Sequence, residues 1–256
     1  MAQQPLQMNV LQQPLPLEVQ QQAGMYNMGA LTALYKPRFT NPLVINALAL
    51  LVIVVDIALF VAIVNTGWIV YILGIIPILA IIYAVKGIAN YNVRVYTFTD
   101  GLIRAKGKVY DVIRYDQVAQ VFFISKKGGY GSVSHTLTLV RSDGTPCKFS
   151  SVIQYLGTLG STVQSEVVRR HMPQALDAFR KGNTLSFGPL TVSLQGIGNG
   201  RGTLPWNMVQ PIILQRGFVI VKQIGQGSNF AKVKVTEVPN LQVFLGVVKY
   251  AQSPQQ

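Results

Sequence analysis

The sequence predicts an α+β integral membrane protein: a two-helix transmembrane hairpin followed by two antiparallel β units, each closed by a C-terminal helix. Three observations carry this expectation. Two long apolar stretches, 43–64 and 68–85, follow one another closely. Period-two alternation begins near residue 93 and gives way to a helical stripe. That order of strands and then helix is written twice.

The first apolar stretch, LVINALALLVIVVDIALFVAIV, has 22 residues and one ionisable group, and the second, WIVYILGIIPILAIIYAV, has 18 and none. At about 1.5 Å per residue they reach roughly 33 and 27 Å, enough for a hydrocarbon core of about 30 Å. They hold the apolar excess of a chain with a mean hydropathy of +0.35. Only Asn65, Thr66 and Gly67 separate them, which predicts a tight hairpin. Lys36 and Arg38 precede it, Lys86 and Arg94 follow it, and the turn is uncharged, so both termini of a multi-pass cell-membrane protein are expected in the cytoplasm. Met1–Val10 lacks the basic start of a removable signal peptide. The single Cys147 excludes an internal disulfide.

Asp56 stands near the middle of the first stretch, where an ionised carboxylate costs about 2.5–3.5 kcal/mol. Across the hairpin it faces the region of Pro77, whose ring frees the carbonyl of Leu73. A protonated Asp56 is expected to donate to that carbonyl.

Residues 1–34 are rich in Gln, Pro and Met and are expected to be a disordered tail, as are 251–256. Residues 35–92 hold the juxtamembrane segment and the hairpin. A first β unit is expected over 93–182 and a shorter second one over 183–250. In the first, YTFTDGLI signals a hairpin at Asp100-Gly101. Strands are expected near 93–99, 102–108, 109–114, 118–125, 134–141 and 145–150. Leu156, Leu159, Val163, Val167, Met172, Leu176 and Phe179 then form one apolar stripe, predicting a helix over 154–180. In the second unit, strands are expected near 190–195, 201–206, 211–216, 218–224 and 230–236. The glycine-rich run 196–202 reads as a hairpin turn. A short helix should follow Asn240 as its N-cap. The two units share a signature: Gly101, Tyr115, Asp116 and Val118 align with Gly196, Trp206, Asn207 and Val209.

These motifs, YTFTDGLI with RYDQVAQV and FGPLTVSLQGI with LPWNMV, resemble bacterial pleckstrin-homology-like (PH-like) domains found beside transmembrane hairpins. The layout also resembles an uncharacterised family of bacterial membrane proteins. The resemblance implies a curved antiparallel sheet plugged by a helix, presenting loops for binding.

Twenty of the 22 basic residues lie from Lys86 onward, against seven of the nine acidic ones, so that part alone carries the net charge of +13. An anionic phospholipid surface is the expected counterpart, with a protein partner of unspecified kind as the other. Arg104, Lys106 and Lys108 alternate and should share a strand face, with Arg94 beside them and Lys126 and Lys127 in the next loop. Eukaryotic PH domains hold inositol phosphates with basic residues on their first hairpin, an arrangement to which Arg94, Arg104 and Lys106 are loosely similar. Nucleic acid is not expected, because no recognition motif or basic groove helix is present. His135 and His171 stand without ligand-spaced partners, so no metal is expected, and with neither a serine nucleophile elbow nor paired carboxylates in view no catalytic residue or cofactor is expected. The expected function is a membrane-anchored, non-catalytic PH-like binding or scaffold module at the inner leaflet. The alternative is an oligomeric membrane component in transport or stress signalling, with Asp56 in the helix interface.

Overall fold

A computed structural model of the chain describes residues 15–37, 47, 50, 51, 53–55, 57, 92–128 and 133–253. Among these no helix is long and apolar enough to cross a membrane. This overturns the predicted two-helix transmembrane hairpin, and with it the multi-pass membrane localisation and the bilayer as an integral partner. The described residues instead form mostly β-sheet, in four antiparallel sheets with a few helices. Apolar composition reports a preference for burial, whereas crossing needs an unbroken helix of about 20 residues. Most of 43–64 and all of 68–85, including Asp56 and its expected partner Leu73, lie outside the described residues.

Two compact units are present, one of residues 1–112 with 152–154 and one of 113–151 with 155–256. The first is built on the sheet β1 (Leu31–Tyr35), β2 (Val93–Phe98), β3 (Gly101–Lys106) and β4 (Val109–Arg114), in that order. β1 pairs antiparallel with β2, Leu31 opposite Phe98 and Tyr35 opposite Val95. Between them Thr97, buried, donates from Oγ1 to the carbonyl of Ala33 at 3.1 Å. Helix α1 (Leu17–Met25) lies over one face, where Val19 and Met28 pack with Tyr96, Phe98, Ile103 and Ala105. The expected disordered tail of 1–34 is therefore corrected: α1 and the start of β1 are ordered secondary structure within it. A five-residue strand draws its stability from its partner, here nearly sixty residues on, which a local pattern does not register.

The second unit holds one sheet, then a helix, then two further sheets and a second helix. β5 (Val118–Lys127), β6 (Val133–Arg141) and β7 (Pro146–Ser150) form a three-stranded sheet. Helix α2 (Leu156–Arg180) buries Leu156, Leu159, Val163 and Val167 at the predicted spacing and continues through Pro173. Its later turns carry Met172 and Leu176 against a second core. That core is enclosed by β8 (Leu185–Phe187), β9 (Leu190–Ser193), β10 (Gly196–Gly198) and β11 (Thr203–Pro205). It is completed by the sheet β12 (Ile213–Gln215), β13 (Phe218–Lys222) and β14 (Asn229–Lys234) and by helix α3 (Leu241–Gln252). Phe244 of α3 is fully buried, edge-on to Phe187 at 5.4 Å. In chain order, four strands of one sheet, three of another and a helix thus occur twice.

The predicted turn at 196–202 is half wrong: Gly196–Gly198 is strand β10, and the turn proper is closed by Asn199, whose Oδ1 accepts from the N–H of Arg201 and Gly202. β8 was not anticipated. Gly196 sits where a Cβ would lie 2.0 Å from the carbonyl oxygen of Leu204, so the pairing of β10 with β11 tolerates only glycine there.

The repeated signature has the same backbone in both copies. Tyr115–Gln117 and Trp206–Met208 are both 3-10 turns entered from an extended residue, and each is followed by an extended valine, Val118 or Val209. The side chains are held differently. Tyr115 is buried with the Arg170 guanidinium 5.2 Å from its ring centre. Trp206 donates from Nε1 to the carbonyl of Ser193 at 2.9 Å. Asp116 is clasped by Arg114, whose hydrogen bonds hold its carboxyl below the ordinary range, while Asn207 is exposed.

Asn240 is not the side-chain N-cap that was predicted. Its backbone is left-handed, with φ 49°, and its side chain makes no cap bond. It turns instead to β5: Oδ1 accepts from the N–H of Val121 at 2.8 Å, and Nδ2 donates to the carbonyl of Ala119 at 2.8 Å. Its own N–H donates to the carbonyl of Val121 at 3.1 Å. Asparagine is among the few residues that take this conformation readily, and its amide copies a peptide group. One residue thus closes part of the open edge of β5.

His171, on α2, is half-buried, and burial together with the neighbouring Arg170 pushes its pKa below the ordinary 6.5. The folded chain therefore refuses a proton that the unfolded chain accepts once the pH falls below about 6.5, so stability is lost in that direction. Urea unfolding at pH 7.5 and 5.5 should show lower stability at the lower pH, and His171→Gln should flatten the difference.

Candidate functional site

The predicted basic cluster is divided by strand register. Arg104 lies opposite Val95, and Arg94 lies opposite Ala105. Directly opposed residues share a face and successive ones alternate, so Arg94 projects from the face opposite to that of Arg104 and Lys106. Arg104 is also engaged by the carboxylate of Asp111. Lys108 does not extend the row, because β3 ends at Lys106 and Lys108 stands in the turn after Gly107. Lys126 is exposed on β5, and the backbone of Lys127 ends that strand; both belong to the other compact unit. Gly101 opens β3, as Gly196 opens β10.

A different basic surface forms on the sheet β12–β13–β14. Gln215, Phe218 and Lys234 are in register across it, as are Ile213, Ile220 and Lys232, and Lys222 lies opposite Asn229. The intervening Val219, Val221, Ala231 and Val233 enter the core, which assigns the lysines and Phe218 to the outward face, where Ile220 is itself buried. Lys232 and Lys234 are exposed and Lys222 is half-buried. The Lys232 ammonium sits 4.6 Å from the centre of the Phe218 ring, which holds the charge over an apolar floor. Lys234 has Glu237 at 3.8 Å, an exposed pair worth about 0–1 kcal/mol.

At one end of this face the hairpin tip is Arg216-Gly217, with φ 50° and 80°. Such two-residue turns favour Asn-Gly because both positions have positive φ. An arginine there costs on the order of 1 kcal/mol, and it puts a further basic residue at the turn beside Phe218 and Lys234. From residue 183 onward there are six basic residues and one acidic one, so this part of the chain is strongly one-signed. Sequence reading missed the basic face, although the alternation Lys232-Val-Lys234 lay within a predicted strand and Gly217 fell between two others. Lys222, Lys232 and Arg216 come from three segments that only the register brings together.

The matched family model covers residues 1–256, the whole chain. The chain belongs to the DUF6585 family, a family of unknown function. No curated protein and no solved structure matches it. Among the described residues no group of three or more His, Cys, Asp or Glu is placed to hold a metal ion.

Proposed function

We propose that this chain is a non-catalytic binding or scaffold module of two PH-like units, akin to the bacterial type, whose second unit docks an acidic segment of a protein partner. The observation that carries the reading is the outward face of β12–β14, where Lys234 lies in register with Phe218 and Lys232 with the buried Ile220 and the exposed Ile213, and Lys222 follows on the same face of β13. Lysines over apolar side chains suit a partner segment that mixes carboxylates with apolar residues, more than a bare polyanion. The strained Arg216 supports the same reading, since an asparagine would satisfy the turn at lower cost. The twofold order of four strands, three strands and a helix supports the PH-like assignment.

The test is equilibrium binding of the full-length chain to a fluorescent polyglutamate 20-mer. Lys222→Glu with Lys232→Glu is expected to weaken binding at least tenfold, about 1.4 kcal/mol, whereas Lys106→Glu or Lys148→Glu changes it less than threefold. Equal affinity in all variants would sink the reading. Anionic vesicles bound in place of the peptide would assign the face to lipid instead. Arg216→Asn should raise stability by about 0.5–1 kcal/mol while weakening the peptide complex.

A further inference from the structure

β12 is an edge strand, and Ile213, Leu214 and Gln215 are all exposed. Gln215 closes the hairpin opposite Phe218, and Ile213 lies opposite Ile220. In a two-residue hairpin the closing pair exchanges its hydrogen bonds inward, as does the pair two residues back. The N–H and C=O of Leu214 therefore point away from the sheet. Among the described residues nothing pairs with them.

The first copy of the signature shows what such an edge accepts. Val209 corresponds to Val118, so Ile212 corresponds to Val121, whose outward N–H and C=O are both bonded by Asn240. One chain therefore carries the same edge twice, closed at β5 and open at β12. Pro211 supplies no N–H, so the open stretch begins at Ile212.

We propose that the open edge of β12 takes an extended segment of the acidic partner as an added strand, a site that rests on the reading of the lysine face given above. Charge chooses the occupant. A second copy would bring two strongly basic faces together, whereas an acidic strand is attracted. Strand alternation then sets its pattern. Side chains on one face run beside Leu214 and are apolar. Those on the other face continue the surface of Ile213 and Lys232 and are acidic.

The experiment uses the full-length chain and three synthetic probes: an acetylated and amidated (Glu-Val)5 decapeptide, the same peptide N-methylated at alternate residues, and (Lys-Val)5. Hydrogen exchange at the Leu214 amide should slow at least tenfold with (Glu-Val)5 and stay unchanged with (Lys-Val)5. N-methylation on the pairing side should weaken binding at least tenfold. Leu214→Pro, tolerable at an unpaired edge, should weaken (Glu-Val)5 at least tenfold and leave polyglutamate binding within twofold. If (Glu-Val)5 binds without protecting Leu214 and regardless of N-methylation, the added strand is refuted while the acidic-partner reading stands. If neither acidic peptide binds, both fall. If the free protein is a dimer that Leu214→Pro dissolves, a second copy fills the edge and the proposal is overturned.

Discussion

Gly188→Ala should destabilise the full-length chain by about 4 kcal/mol, from two independent causes. The backbone at Gly188 has φ 68°, a region that costs an alanine on the order of 1–2 kcal/mol. The added Cβ would also stand 2.1 Å from the carbonyl oxygen of Glu237, with the Pro239 ring at 3.3 Å. Neither obstacle is the far end of a flexible side chain, so the β8–β9 turn or the 3-10 turn Val235–Glu237 must move. That second turn leads through Pro239 and Asn240 into α3, whose Val243, Phe244, Val247 and Val248 are buried in the second core. The cost therefore reaches the helix as well as the hairpin. Chemical denaturation of the variant beside wild type measures it. A loss below about 1 kcal/mol would mean that the turn yields freely and that the close approach has no structural weight.

Asn240→Gly should cost about 2–3 kcal/mol, and it isolates the side chain from the backbone. Glycine keeps the left-handed conformation at no penalty, so what is lost is the pair of amide bonds to Ala119 and Val121. Asn240→Asp should fall between, because it retains the oxygen that accepts from Val121 and loses the donor to Ala119. Hydrogen exchange gives the sharper reading: the Val121 amide should exchange markedly faster in Asn240→Gly, while amides within α3 change little. Unchanged protection at Val121 would contradict the role of Asn240 as the closure of the β5 edge. Freed of that closure, β5 presents the same kind of unpaired groups as β12, so Asn240→Gly should also be the more association-prone protein.

What was readable in advance follows from where each signal resides. β2–β7 and α2 announce themselves locally, through alternation, the Asp100-Gly101 turn and a stripe at spacings of three and four, and the structure places them within a few residues of expectation. The signature at Tyr115 and Trp206 was also legible, because a short aromatic-Asx turn before a valine is a contiguous pattern. β1 was not, since its partner strand is distant in sequence. β10 was hidden because glycines that permit backbone contact look like glycines that permit a turn. Faces were the hardest to read. Alternation tells which residues of one strand lie together, but only register tells which strands they join. Arg94 was therefore grouped with Arg104 across the sheet, and Lys222 was not grouped with Lys232. Long apolar stretches mislead in another way, because hydropathy records the wish to leave water without naming what provides the shelter.

The central claim, that the outward face of β12–β14 is where this chain meets an acidic partner, is tested most directly by hydrogen–deuterium exchange. Full-length protein would be measured with and without polyglutamate at low and physiological salt. The account predicts slowed exchange in peptides spanning 213–222 and 229–234, lost as salt rises. Protection confined to 94–108 with none at 213–234 would contradict it.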